Sequence, residues 1–275
     1  MRDPTADHRA DVFAANRARG RIALAVAAGG GVTRPRHVAE EGSLRVRFPG
    51  TRAYGLEAVT VNTAGGIAGG DHFDIAISVE EGARLTVTTT AAEKVYRSLG
   101  PAAEVDLRLT VNAEATLFWL PQETILFDRA RLRRTIEVDV AAGARLVLAE
   151  AIVFGRTAMG ESVEQGSLFD RWRVRCGGRL RFAETVRLDG AVAEALRHRA
   201  VAAGAVAVAT VLMQPGDETA LAAVRAADVR GEVAASAWNG LLVARIVAKE
   251  AMWLRHDLTA VLFAVGVPLP RLWVN

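Results

Sequence analysis

Hydrophobic and polar residues alternate with a period of two along most of the chain, in short runs separated by glycine, asparagine and aspartate. The runs follow one another from about residue 21 to residue 188, and examples are "RIALAVA", "HFDIAISV" and "ARLTVTTT". Alternation of this kind is typical of β-strands with one buried face, and many short strands at even spacing indicate a sandwich, a barrel or a solenoid. We therefore predict a mainly β body over residues 21–189, preceded by an N-terminal tail over residues 1–20.

A weak internal repeat narrows this choice. Four segments align on a leucine, with spacings of 32, 29 and 34 residues. Repeats of roughly 20–50 residues mark units that bury their hydrophobic faces by stacking on one another. The repeat therefore predicts a stacked, solenoid-like β-sheet body with a unit of about 30 residues. The aligned leucines are Leu85, Leu117, Leu146 and Leu180.

The pattern changes at about Gly190. A helical pattern appears in "PGDETALAAVRAA", and a second, longer helix is predicted for "KEAMWLRHDLTAVLFAVG". Between them, two strand-like runs flank Asn239 and Gly240, and this dipeptide strongly indicates a two-residue β-hairpin. Residues 190–275 are therefore predicted to form a small C-terminal α+β segment with two helices, packed on the body as an appendix.

Composition argues against several classes of function. The chain is 51% hydrophobic with a formal net charge of +3, and only Lys94 and Lys249 are lysines among 34 basic residues. Nucleic-acid binding needs a basic stripe with stacking aromatics, which this sequence does not show. The single cysteine, Cys176, allows no intrachain disulfide and fits a reducing compartment. The longest apolar run, residues 200–213, is shorter than the ~20 residues that span a bilayer, so we expect a cytoplasmic protein.

Two glutamates interrupt the apolar side of predicted strands. Glu150 shares strand parity with Leu148, and Glu184 shares it with Phe182, so regular strands would point both carboxylates inward. An ionised carboxylate in an apolar interior costs several kcal/mol unless it is paired, solvated or bound to a cation. Three explanations stay open: arginine partners, a water-filled interior that holds or passes a metal ion, and a β-solenoid carbohydrate hydrolase that uses Glu150 and Glu184 as paired carboxylates.

The glycine-rich stretch "NTAGGIAGGD", residues 62–71, does not match a nucleotide-binding motif. It lacks the lysine and Ser/Thr of a P-loop, and a strand-like run follows where a dinucleotide-binding turn requires a helix. We interpret the glycines as a sharp corner. Two other loops, within residues 88–98 and 119–128, carry side chains that are typical of a protein-binding edge. These side chains are Lys94, Tyr96, Arg97, Gln122 and Phe127.

Five motifs, in this order along the chain, resemble the urease accessory protein family UreD, also called UreH. They are "NTAGGIAGGD", "TTTAAEKVYRS", "WLPQETILFD", "GRTAMGE" and "LPRLW", and the resemblance runs from about residue 21 to the end of the sequence. It implies a non-enzymatic nickel-insertion chaperone with a β-rich body. It also implies binding to apo-urease and to the partner UreF, through which the GTPase UreG docks, and passage of nickel through an internal channel.

The resemblance also implies roles for individual positions. Asp71, Glu93, Glu150 and Glu184 are the expected lining of the nickel channel, and Glu93 is a departure from the family pattern. They are expected to hold nickel(II) weakly and transiently, with no tightly bound cofactor, because a conduit must release what it accepts. The UreF side or the channel walls are expected to include Lys94, Tyr96, Arg97, Gln122, Glu123 and Phe127.

Overall fold

The computed structural model describes residues 16–52 and 55–273 of the chain. Within these residues there are eighteen β-strands, three α-helices and two short 3-10 turns, Thr157–Met159 and Arg271–Trp273. The first nine strands are β1 (Arg19–Gly29), β2 (Val32–Gly42), β3 (Leu44–Arg47), β4 (Thr51–Arg52), β5 (Gly55–Asn62), β6 (His72–Val79), β7 (Arg84–Thr89), β8 (Glu93–Val95) and β9 (Ala103–Val111). The other nine are β10 (Thr116–Trp119), β11 (Thr124–Leu126), β12 (Arg131–Val140), β13 (Arg145–Phe154), β14 (Gln165–Cys176), β15 (Arg179–Ala191), β16 (Ala207–Gln214), β17 (Glu232–Trp238) and β18 (Leu241–Ala248). The helices are α1 (Val192–Arg197), α2 (Glu218–Arg225) and α3 (Ala251–Ala264).

The strands of the described residues form two sheets. Sheet A has seven strands in the order β15-β14-β12-β9-β6-β1-β2. Sheet B has eleven strands, most of them in the order β17-β18-β16-β13-β10-β7-β5-β3, with β4, β8 and β11 paired beside this path. The centre of each sheet is parallel: β1, β6, β9, β12 and β14 in sheet A, and β5, β7, β10 and β13 in sheet B. The prediction of a mainly β, solenoid-like stack is confirmed.

The internal repeat arises because the chain alternates between the two sheets. Strands β6, β9 and β12 lie in sheet A, and each is followed by a strand of sheet B, namely β7, β10 and β13. Leu85, Leu117 and Leu146 are direct neighbours in the parallel register of these sheet B strands. The fourth aligned leucine was wrongly assigned to this column: Leu180 lies in sheet A, where β15 pairs antiparallel with β14, and it is 52% exposed. The dipeptide Gly177-Gly178, with positive φ at both residues, reverses the chain there.

Two kinds of corner connect the sheets. The turns from sheet A to sheet B are short, and each has a left-handed residue at the same place, Gly82, Glu114 or Gly143, with φ of 69°, 56° and 77°. The return from sheet B to sheet A is longer and contains most of the family motifs. We call this side the motif corner, and it comprises residues 62–71, 88–98, 119–128 and 155–161.

Two hydrophobic cores lie on the two faces of sheet B. Leu146 and Leu148 of β13 point into the core between the sheets. Val147 and Ala149, which alternate with them, point into a second core that includes side chains of α2 and α3. Because β13 is buried on both faces after its first residue, Arg145, residues 146–154 form an almost continuous apolar run that only Glu150 interrupts.

The C-terminal strands extend sheet B. Strand β16 pairs antiparallel with β13, β18 with β16, and β17 with β18, while the predicted hairpin turns at Asn239 and Gly240, both with positive φ. Helices α2 and α3 coincide with the two predicted helices, whereas the short α1 was not predicted. None of the helices in the described residues is long and apolar enough to cross a membrane. The predicted tail, residues 1–20, lies mostly outside the described residues, and the division at residue 190 stays a prediction.

A glycine pair in the motif corner allows a test of its packing. A Cβ atom on Gly66 would lie 2.5 Å from Cε2 of Tyr96 and 3.0 Å from the carbonyl oxygen of Lys94, whereas nothing lies within 4 Å of the equivalent position on Gly65. Both glycines have positive φ. Gly66→Ala should therefore lower the free energy of unfolding by roughly 2–4 kcal/mol, through backbone strain plus overpacking, and Gly65→Ala by about 1 kcal/mol, through strain alone.

The measurement is urea denaturation of the full-length variants beside the unsubstituted protein. Equal losses in the two variants would contradict the interpretation that the backbone approaches Tyr96 closely at Gly66.

Candidate functional site

The motif corner gathers separate sequence motifs into one stack. Strands β8 and β11 continue the coils beyond β7 and β10. They pair in parallel with each other, and β11 also pairs in parallel with the end of β13. Ile67 of the glycine-rich stretch bridges Val95 of β8. Its amide donates to the carbonyl of Lys94 at 2.7 Å, and its carbonyl accepts from the amide of Tyr96 at 2.8 Å. The first three motifs therefore lie on neighbouring coils, and the fourth follows β13 directly.

Asp71 is buried, but its carboxylate is committed to the backbone of the corner. One oxygen accepts a hydrogen bond from the amide of Ala18 at 2.8 Å, and the other accepts from the amide of Ala68 at 2.7 Å. In the described part of the chain, Asp71 is not among the residues that line the cavities described below. The geometry gives Asp71 a clear structural task, which is to tie the start of β1 to the glycine-rich turn.

A cavity of about 260 Å³ lies under the motif corner, between the two sheets. Its wall is mainly apolar, and its polar groups include Asn62, Glu93, Gln122, Arg134 and Glu150. Six water molecules, the usual shell of a hydrated divalent cation, occupy roughly 180 Å³ at about 30 Å³ each. This first cavity is therefore large enough for a hydrated ion.

Glu93 is the acid at the outer part of the first cavity. It is the first residue of β8, half-buried, and its carboxylate accepts a hydrogen bond from Nδ2 of Asn62 at 3.3 Å. Burial raises the pKa of the Glu93 carboxyl to about 7, against the opposing effects of the Asn62 hydrogen bond and of the neighbouring Lys94. Near neutral pH this carboxyl is therefore protonated in a substantial fraction of the molecules.

Glu150 lies deeper, at the boundary of the first cavity, and is 6% exposed. It points inward, as its strand parity predicts, and it has the arginine partner that the sequence left open. Nη1 of Arg134, which is 5% exposed, donates to one Glu150 oxygen. Nε1 of Trp119 donates to the other oxygen at 2.8 Å.

A second carboxylate completes this cluster. Asp170 is the direct neighbour of Arg134 in the parallel pair β12–β14, and it accepts from Nε of Arg134 at 3.0 Å and from Nη2 at 2.6 Å. Nε1 of Trp172 donates to Asp170 at 3.1 Å. We call Arg134, Glu150 and Asp170 the buried triad; with both acids ionised, its net charge is −1.

Burial has opposite effects on the two ends of the Arg134–Glu150 pair. Burial and the nearby Asp170 raise the pKa of the Glu150 carboxyl, and Arg134 and Trp119 oppose this effect. Burial lowers the pKa of the Arg134 guanidinium, but Asp170 and Glu150 more than offset it, so that the net direction is upward. Arg134 therefore stays charged, and the acids are stable in the interior only with it present.

A second, smaller cavity of about 60 Å³ lies on the other side of the buried triad. Glu184 of β15 is part of its wall, and Arg245 of β18 donates to its carboxylate. The expectation that Glu184 points fully inward is met only in part, since its side chain is half-buried and the adjacent Val186 is 38% exposed. The register shift between β14 and β15 lies at Val174 and Arg175, opposite Phe182 and Leu180, so it takes Leu180 out of parity with Glu184.

The arrangement of the two acids does not favour the hydrolase alternative. Glu150 is held by Arg134 and Trp119, and Glu184 is held by Arg245, so neither carboxylate is free to attack or protonate a sugar. In residues 16–52 and 55–273, no three His, Cys, Asp or Glu side chains are grouped to hold a metal ion. A cation in these cavities would meet one or two carboxylates at a time, with water completing its shell.

The predicted partner-binding side chains divide into two groups. Lys94, Tyr96 and Arg97 are exposed on the motif corner. Phe127 lies beside them, with its ring edge-to-face to Tyr96 at 5.2 Å and with the guanidinium of Arg156 above it at 4.3 Å. This first group places two aromatic rings and three basic side chains, those of Lys94, Arg97 and Arg156, on the motif corner.

Gln122 and Glu123 form the second group and are bound within the chain. Arg255 of α3 donates to both oxygens of Glu123, at 2.9 and 2.7 Å, and to Oε1 of Gln122 at 2.9 Å. The "LPRLW" motif supports the same contact, because Nε1 of Trp273 donates to Oγ1 of Thr88 at 3.1 Å. The C-terminal helix is thus fastened to the motif corner.

Sequence reasoning missed Arg134 and Asp170, although the sequence contains a signal for both. Arg134 shares strand parity with Leu132 and Ile136 in "RLRRTIEVDV", and Asp170 shares parity with Leu168 in "SLFDRWRVRC". A charged residue on the apolar side of each of three strands, one basic and two acidic, is the pattern of a buried ion cluster.

Comparison with known proteins identifies the family. The family model described as UreD urease accessory protein matches residues 18–274. A urease accessory protein UreD of Rhodopseudomonas palustris (strain BisA53) is 56% identical over 96% of this chain and 93% of its own length. A urease accessory protein UreD 3 of Bradyrhizobium sp. (strain BTAi1 / ATCC BAA-1182) is 54% identical over the full length of both chains. The chain belongs to the UreD urease accessory protein family.

Proposed function

We propose that the protein conducts nickel(II) to apo-urease along a path through the two cavities, past Glu93, Glu150 and Glu184. The observation that carries this proposal is that Glu150 belongs to the walls of both cavities. Glu93 lies in the wall of the first cavity and Glu184 in that of the second, so the three carboxylates follow one another through the interior. Asp71 is tied to two backbone amides, and its role toward nickel stays a prediction.

The chemistry of the path suits transport rather than storage. Nickel is bound well by imidazole nitrogen, whereas carboxylate and water oxygens are the usual ligands of magnesium, calcium and manganese. Oxygen ligands offered one or two at a time would therefore hold nickel weakly. This supports a non-catalytic role in which nickel is cargo and no cofactor stays bound.

We further propose that the protein works in the cytoplasm within an assembly of apo-urease, UreF and the GTPase UreG, with UreG docking through UreF. Family membership supports a role in urease maturation. The aromatic and basic surface of the motif corner supports a docking site near the first cavity, since Tyr, Phe and Arg are favoured anchors in protein interfaces. The groups proposed for this contact are the exposed Lys94, Tyr96 and Arg97 and the half-buried Phe127.

The double variant Glu93→Gln, Glu150→Gln should lower the nickel content of urease several-fold. Both side chains keep their size while two carboxylates of the path are lost, and Arg134 keeps Asp170 as its charge partner. The measurement is nickel per active site, by mass spectrometry, in urease co-expressed with all accessory proteins. Pull-down of UreF and urease subunits by the tagged variant should be unchanged.

The matched control is Glu81→Gln, Glu114→Gln, which removes two exposed carboxylates from the opposite corner of the stack. It should leave nickel content unchanged. Full nickel loading with the cavity variant, or an equal loss with the control, would overturn the proposed path.

Glu93→Gln alone should flatten the pH dependence of stability. The pKa of Glu93 is raised from 4.5 to about 7, so the folded state holds this proton more tightly than the unfolded state. The stability that this confers is fully present below pH 4.5 and is lost as the pH rises through 7. The loss is at most roughly 3–4 kcal/mol, since one pKa unit corresponds to about 1.4 kcal/mol.

Melting temperatures between pH 4.5 and 8 test this expectation. The Gln variant should lose less stability than the unsubstituted protein over this range, and Glu81→Gln should follow the unsubstituted protein. If Glu93→Gln left the pH profile unaltered, Glu93 would not be the buried acid described above.

A further inference from the structure

Arg134 is part of the wall between the two cavities. The first cavity is bounded at its inner end by Arg134 and Glu150, and the same two side chains bound the second cavity, which Asp170 also lines. Movement of an ion from one cavity to the other at this point therefore requires the Arg134–Glu150 contact to open.

The hydrogen bonds of Arg134 are unequal. It holds Asp170 through two nitrogens and Glu150 through one. Arg134 and Asp170 are neighbours within sheet A, whereas Glu150 belongs to sheet B. Breaking the single bond across the sheets would leave Arg134 paired with Asp170, and would leave Glu150 held by Trp119. In the opened state Arg134 and Asp170 therefore stay paired with each other, and one oxygen of Glu150 is left without a hydrogen bond.

We infer that Arg134 is a cationic latch that determines which ions cross: a divalent cation displaces its guanidinium from Glu150, and a monovalent cation does not. This inference rests on the proposed function and concerns the selectivity of the same path. A divalent cation attracts Glu150 with twice the charge of the guanidinium. A potassium or sodium ion has only the same charge as Arg134, so it gains no attraction by taking the place of a guanidinium that is already tethered beside Glu150. A divalent ion keeps part of its water in the cavity and still attracts the carboxylate more strongly than Arg134 does.

The latch also limits how tightly a cation is held. With Arg134 present, a divalent ion changes the net charge of the buried triad from −1 to +1. Without Arg134, it would neutralise two unpaired carboxylates, and the passage would become a trap. Arg134 thus keeps the affinity of the buried triad for a divalent cation low enough for the cation to be released after it has entered.

The test is nickel binding by the full-length protein at pH 7, measured by equilibrium dialysis with NiCl₂ and with KCl varied. The double variant R134Q/D170N removes the latch together with one carboxylate, so that the formal charge of the cluster with Glu150 ionised stays at −1. Its nickel Kd should fall about tenfold, and its nickel binding should become sensitive to KCl. Adding Glu150→Gln to this variant should abolish the gain. An unchanged or higher Kd in R134Q/D170N would overturn the latch.

The matched control is R108Q/D74N. Arg108 also pairs with a neighbouring aspartate through two hydrogen bonds, of 2.6 and 2.7 Å, but on the exposed face of sheet A. Its nickel Kd should equal that of the unsubstituted protein, and an equal fall would show that the effect is not specific to the buried triad. Circular dichroism melts establish that each variant is folded.

If R134Q/D170N does not fold, the variant Arg134→Lys tests the latch in its place. Lysine keeps the positive charge but lacks the planar fork that spans two carboxylates, so Kd should fall several-fold and the fall should again require Glu150. No change in Arg134→Lys would overturn the latch. Failure of the latch and failure of the nickel path are distinguishable, because the first is measured in binding by this chain and the second in nickel loading of urease.

Discussion

The described structure depends on one charge balance in the space between two β-sheets. Glu150 on sheet B and Asp170 on sheet A are both buried, and neither is stable there as an anion without Arg134. The cluster therefore fixes the separation of the sheets at this level, and it accounts for the two indoles whose N–H groups point at the acids. The two cavities lie on either side of the cluster. The ion pairs that neutralise the buried charges therefore also separate one cavity from the other.

Parallel stacking explains why this cluster is reached from the motif corner. Each coil repeats the same two-sheet path, so the ends of β5, β7, β10 and β13 meet on one side. Residues that are far apart in the sequence become neighbours there, as in the pairing of Glu93 with Thr124 and of Thr124 with Ile152. Each of the first three family motifs thus contributes one part of the wall of the first cavity. This is why motifs without any catalytic pattern converge on a cavity.

The sequence predicts strand positions and side-chain directions, which depend on the local hydrophobic period. It does not predict contacts between residues that are far apart along the chain. Alternation is sufficient to place strands, and it correctly turned Glu150 inward, because side-chain direction follows from strand parity. The partners of Glu150 could not be deduced in this way, since they depend on which strands pair and on how far apart the sheets lie. Arg255 reaches Glu123 across 132 residues of sequence, and no local pattern encodes that contact. The assignment of Leu180 was wrong because a leucine followed by a strand resembles a repeat even where Gly177-Gly178 reverses the chain.

The buried triad reconciles two demands that conflict in an ordinary core. Stability requires every buried charge to be paired, whereas transport requires a carboxylate that can take a passing ion. On the proposed nickel path, a cluster with two acids and one base would meet both demands, because its residual negative charge would attract a cation and its arginine would prevent the carboxylates from keeping it. The indole donors add to this arrangement: Trp119 holds Glu150 and Trp172 holds Asp170 whether or not Arg134 bridges them. Each acid is therefore oriented by a donor other than Arg134, and under the proposed latch the Arg134–Glu150 contact is the one that would open.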